Sequence, residues 1–148
     1  MLKNITSVKL GDDYCNLIND FKIKQIIIDY LFNNINTNFL QEHLIKEENI
    51  LKNIKNKKYK AIYLRAGNNY ILLLKEINNV FYYLLIKKNF NFNYNDINYN
   101  KLEILFIDIN YPKEYYKGTI IEGHLEIINN ESIFNIYDIL KFKGNNID

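Results

Sequence analysis

Tryptophan is missing from this 148-residue chain, cysteine and proline occur once each, and arginine is represented by Arg65 alone among 19 basic side chains. The solitary Cys15 excludes an internal disulfide and indicates a reducing compartment. Long apolar runs are lacking too, since stretches such as Val80 to Ile86 fall far short of a membrane span. The opening Met1-Leu2-Lys3-Asn4 has no signal-peptide core. The expectation is an intracellular protein, cytoplasmic or nuclear, with no membrane partner. His43 and His124 lie far apart in sequence, so no metal site is expected. A dominant charge is absent as well. The 19 basic groups meet 17 acidic ones, and a net charge of +2 is too small to be a nucleic-acid footprint by itself.

What is present is enough for a folded domain. Apolar residues make up 48%, charged residues 24% and aromatics 15%, a globular rather than a disordered balance. Asn, Ile, Lys, Tyr and Phe dominate, all with AT-rich codons, so an AT-biased genome accounts for the skew. A chain of this length buries roughly two thirds of its unfolded surface around one core, and residues 1–148 read as a single domain.

Two textures follow one another. Over Asp13 to Asn33, Tyr14, Leu17, Ile18 and Phe21, then Ile27, Ile28, Leu31 and Phe32, recur at helical spacing. Asp12 or Asp13 would cap this helix, with a break near Phe21-Lys22. After a loop at Asn33–Asn38, Leu44, Leu51 and Ile54 predict a second helix ending in the basic run Lys52–Lys58, so residues 1–58 read as mainly helical. From residue 59 to 148, short Ile/Val/Tyr/Phe runs separated by Gly-Asn, Asn-Asn and Lys-Asn breaks predict an antiparallel sheet. Strands are expected near Lys60–Ala66, Tyr70–Lys75, Val80–Lys87, Glu103–Asp108, Thr119–Glu122, Leu125–Ile128 and Ile133–Phe142, with hairpin turns at Gly67-Asn68 and Asn78-Asn79. The Asn/aromatic alternation of Asn89–Asn100 reads as a loop, and Pro112 as a break before the strand at Thr119. Helices first and strands afterward define an α+β fold class.

The tail has a distinctive wording: Ile121-Glu122-Gly123-His124-Leu125-Glu126, then Ile133-Phe134-Asn135-Ile136-Tyr137-Asp138-Ile139-Leu140 and the Gly144 turn. It resembles the third nucleotide-binding motif block of mRNA capping enzymes, the guanylyltransferases, and of related covalent nucleotidyltransferases such as ATP-dependent ligases. Upstream, Lys60-Ala61-Ile62-Tyr63-Leu64-Arg65 is similar to the family's Lys-x-Asp-Gly-x-Arg, with Ile62 and Tyr63 in place of Asp and Gly. The resemblance implies the amino-terminal half of a nucleotidyltransferase domain. Lys60 would be the catalytic nucleophile, forming a phosphoramidate with the α-phosphate, while Arg65, Glu122, Tyr137 and Asp138 would contact the nucleotide. His124 replaces the family's glutamate and supplies no carboxylate. Phe134 and Tyr137 are aromatic candidates for stacking on a base, weighed against an ordinary place in the core.

With these motifs altered, the resemblance implies a catalytically degenerate guanylyltransferase-like module, a pseudoenzyme acting as subunit or binding partner in a larger assembly. Two alternatives stand beside it. One is half of a split, active mRNA guanylyltransferase that transfers GMP to RNA 5′ ends; the other is an unrelated small α+β interaction protein on a large complex. No cofactor is expected in the degenerate case, and GTP with Mg²⁺ only if the site is active. A protein partner is expected, with a nucleotide or an RNA 5′ end as further ligands.

Overall fold

The computed structural model describes residues 5–35, 68–88 and 97–147. In chain order the elements are β1 (Ile5–Leu10), β2 (Asp13–Ile18), α1 (Phe21–Asn34), β3 (Asn68–Ile77), β4 (Val80–Lys87) and β5 (Ile104–Ile107). A 3-10 turn (Lys113–Tyr116), β6 (Lys117–Ile128), β7 (Glu131–Phe142) and β8 (Asn145–Asn146) follow. Strand accounts for 58% of the described residues and helix for 17%, with one α-helix. This overturns the α+β expectation with N-terminal helices: the described chain is mainly antiparallel sheet.

The correction starts at Asp13–Ile18, which pairs with β1 as a hairpin, Leu10 opposite Asp13 and Ile5 opposite Ile18. Cys15 and Leu17 pack on one side of the sheet and Ile18 on the other, the alternation of a strand. Tyr14 is exposed. The apparent helical spacing of Tyr14, Leu17 and Ile18 therefore does not mark one buried face. The helix begins at Phe21, and its cap is Asp20 rather than Asp12 or Asp13. The Asp20 carboxylate accepts from the backbone N–H of Lys22 at 2.9 Å and of Ile23 at 3.2 Å. Lys24, Ile27, Ile28 and Leu31 then form the buried stripe of α1. The expected helix around Leu44–Lys58 and the expected strand Lys60–Ala66 lie outside the described residues, as do Gly67 and residues 89–96.

All eight strands join one sheet in the order β1-β2-β5-β4-β3-β6-β7-β8, with every pairing antiparallel. β4 occupies the predicted residues, and Asn78 and Asn79, with φ of 51° and 61°, make the two-residue turn between β3 and β4. Asn129 and Asn130, with φ of 53° and 68°, serve in the same way between β6 and β7. The strands expected at Thr119–Glu122 and Leu125–Ile128 are one continuous β6.

Two apolar layers flank the sheet. On one side α1 covers Ile71, Leu73, Tyr82, Leu84, Ile86 and Ile120. Lys24 is buried there, and its ammonium donates to the carbonyls of Tyr99 (3.0 Å) and Leu102 (2.7 Å), fixing the approach to β5; burial lowers its pKa. On the other side Tyr70, Leu72, Leu74, Tyr83, Leu85 and Leu105 form a second buried layer. Tyr115 and Tyr116 of the 3-10 turn cover part of that layer, and the sheet curls over the rest. The β1–β2 turn reaches the β6–β7 turn, although several strands separate them in the sheet order. Asp12 N–H donates to the Asn130 carbonyl at 2.7 Å, and Ser132 Oγ donates to the Leu10 carbonyl at 3.0 Å. Gly11 makes this approach possible, because its φ is +65° and a Cβ there would collide with the Asn130 carbonyl. Beneath the closure lies a cavity of about 150 Å³, bounded in part by Leu10, Tyr83, Leu85, Leu125 and Phe134.

Candidate functional site

The tail motif sits on β6 and β7, whose pairing brings three of the five candidate residues together. Glu122 and Asp138 are register partners, and Tyr137 follows Ile136 as an extra residue, because the next pair is Gly123 with Ile136. A second extra residue, Leu140, falls between the Ile121–Ile139 and Ile120–Lys141 pairs. These β-bulges bend β7 and turn Tyr137 toward β3. Lys60 and Arg65 lie outside the described residues.

Strand alternation places Glu122, His124 and Glu126 on the same side of β6 as Ile120, the side that packs against α1. The sheet order β4-β3-β6-β7 then aligns Lys88, Asn69, His124 and Asn135 in a transverse row: Lys88 N–H donates to the Asn69 carbonyl, Asn69 opposes His124, and His124 opposes Asn135. Lys88 Nζ lies 2.7 Å from Glu122 Oε1, and the side chains are only 10% and 12% exposed. Tyr137 donates its hydroxyl proton to Asn69 Oδ1 at 2.6 Å. Asp138 is exposed, and its Oδ1 accepts the backbone N–H of Ile139 at 2.9 Å. Each candidate in the described structure thus has an internal partner.

His124 is buried, in the middle of a continuous strand. Its Nε2 is 3.4 Å from Glu126 Oε1, and the other Glu126 oxygen accepts from the Asn135 amide at 3.2 Å. Nδ1 is buried with no hydrogen-bond partner. Gly123 has a local structural reason: Phe134 lies against it, and a Cβ would collide with the ring. Phe134 packs against the layer of Tyr83 and Leu125. The motif's glycine therefore admits an aromatic ring of this chain.

Lys88, Asn69 and Glu126 are the members of the group that sequence reasoning missed. Lys88 and Asn69 belong to a distant hairpin, and only the sheet order brings them to β6. A separate polar group lies on the concave side, where Glu103 accepts from Tyr70 at 2.8 Å and Lys87 at 3.1 Å. Burial, then the hydrogen bond to Glu103, raises the Tyr70 pKa, so this phenol is neutral at ordinary pH. Among the described residues no group of three or more His, Cys, Asp or Glu could hold a metal ion, and no helix is long and apolar enough to cross a membrane.

No protein-family model matches the chain, and comparison with curated proteins gives no significant match.

Proposed function

We propose that the protein is a catalytically degenerate, guanylyltransferase-like module of the mRNA-capping type, acting as a subunit or binding partner in a larger assembly. The observation that carries this reading is the Lys88–Glu122 ion pair. A carboxylate that contacts a nucleotide must offer free lone pairs to solvent and ligand. Glu122 is instead neutralised by an ammonium and largely withdrawn from water, and breaking that pair for a ligand would leave a poorly solvated charge behind. Tyr137 and Asp138 are likewise engaged within the chain.

The subunit part of the reading draws support from β7. Both layers of the sheet are buried, so a bare sheet face is not the binding surface; the exposed apolar side chains Ile133, Ile136 and Ile139 line β7 instead. Among the described residues the outer side of β7 pairs only through Lys141 and Phe142. Apolar side chains beside an open strand edge suit a protein partner.

The test is incubation with α-labelled GTP, and separately ATP, in the presence of Mg²⁺, followed by denaturing electrophoresis. The expected result is no protein-linked nucleotide. A labelled band abolished by Lys60→Ala would overturn the degenerate reading in favour of half of a split guanylyltransferase, an alternative that the register pairing of Glu122 and Asp138 favours. For the subunit reading, sedimentation of a compact monomer that binds no apolar dye would remove its support.

A further inference from the structure

We infer that the cavity beneath the β1–β2 and β6–β7 turns is a binding site for a small organic amine with an aromatic or branched apolar body. The pocket holds about 150 Å³ and is partly open to solvent, so a guest can enter it without unfolding the sheet. A volume of about 150 Å³ accommodates a benzene-sized guest. Leu10, Leu85, Leu125, Phe134 and the Tyr83 ring supply an apolar wall.

The polar part of the wall sets the head group. Asp13 is the only carboxylate or cationic side chain among the lining residues, and it is exposed, so a guest can meet it without disturbing the core. Ser132 Oγ already donates to the Leu10 carbonyl, which leaves its lone pairs to accept. Burial pushes the Tyr83 phenol up to about 12, so it remains neutral beside the cavity. A carboxylate and a hydroxyl acceptor at the rim of an apolar chamber select a donor-bearing cation over an anion, by charge-assisted hydrogen bonding. This assignment uses residues separate from the Glu122 group and is independent of the nucleotidyltransferase reading.

Methyl-resolved NMR of the full chain, titrated with benzylamine, toluene and benzoate, tests it. Benzylamine is expected to shift the methyl signals of Leu10, Leu85 and Leu125 saturably and to bind roughly tenfold more tightly than toluene, as one charge-assisted contact provides; benzoate is expected to leave them unmoved. Asp13→Asn should erase the preference for benzylamine over toluene, and Leu125→Phe should abolish binding of both. Absence of saturable shifts with benzylamine, equal binding of benzylamine and benzoate, or an intact amine preference in Asp13→Asn would each overturn the inference. Because Asp13 is exposed, its variant decides the matter even if Leu125→Phe does not fold.

Discussion

The two layers of the sheet solve the same burial problem differently. One is covered by α1, whose Ile27, Ile28 and Leu31 meet Leu73, Leu84 and Ile86 with no exposure. The other is covered in part by Tyr115 and Tyr116 of the 3-10 turn and otherwise closed by the sheet's own curl, through contacts between two turns, and a cavity remains beneath them. A helix can settle along its axis until ridges and grooves fit. Two hairpins tethered to one sheet have less freedom, and their closure depends on Gly11 and a few hydrogen bonds. The first layer should therefore respond to lost volume, and the second to added volume.

The largest expected effect is on the helix-covered layer. Leu73→Ala should cost ~2–5 kcal/mol in urea unfolding, and a loss below about 1 kcal/mol would mean that α1 does not pack as described. Next comes the polar end of the same layer. Glu122→Ala should cost on the order of 3 kcal/mol by stranding Lys88, with Lys88→Met/Glu122→Ala recovering much of it; additive losses in the double-mutant cycle would dismiss the pair as a coupled unit.

Opposite signs from one kind of substitution would sharpen the contrast further. Leu73→Phe should destabilise by ~1–3 kcal/mol through overpacking, whereas Leu125→Phe should stabilise by roughly 1 kcal/mol through cavity filling. The same sign in thermal unfolding would erase the distinction between the layers. The smallest effect belongs to Tyr83→Phe, within ~1 kcal/mol at neutral pH. Burial and the neighbouring Tyr111 and Tyr116 raise the Tyr83 pKa from 10.0 to about 12. The unfolded chain releases that proton first, so the contribution of Tyr83 is complete below pH 10.0 and is lost as pH rises toward about 12. The variant should flatten that part of the alkaline stability profile; an unchanged profile would show that Tyr83 is not the titrating group.

The legibility of the chain follows the range of its interactions. Val80–Lys87 could be read directly because its β-branched and aromatic run is bounded by an Asn-Asn turn that supplies positive φ locally. Glu122, Tyr137 and Asp138 were grouped by the resemblance of the tail to a nucleotidyltransferase motif, while the strand carrying Glu122 read as two, Thr119–Glu122 and Leu125–Ile128, where β6 is continuous. Asp13–Ile18 was misread because Tyr14, Leu17 and Ile18 fit a helical step as readily as a strand, and the signal that separates them, Asp20 capping the backbone at Lys22 and Ile23, lies outside that window. Lys88 and Asn69 were illegible for a different reason. Their proximity to Glu122 and Tyr137 depends on β3 lying between β4 and β6, an order that no local pattern encodes.

The hydrogen bond from Ser132 to the Leu10 carbonyl joins residues 122 positions apart. During synthesis the first hairpin must therefore wait for those intervening residues before the turn that seals it emerges from the ribosome. β6 and β7, adjacent in sequence, can pair without such delay. Until they do, Cys15, Leu17 and Leu10 lack part of their cover, so the nascent first hairpin keeps apolar surface exposed.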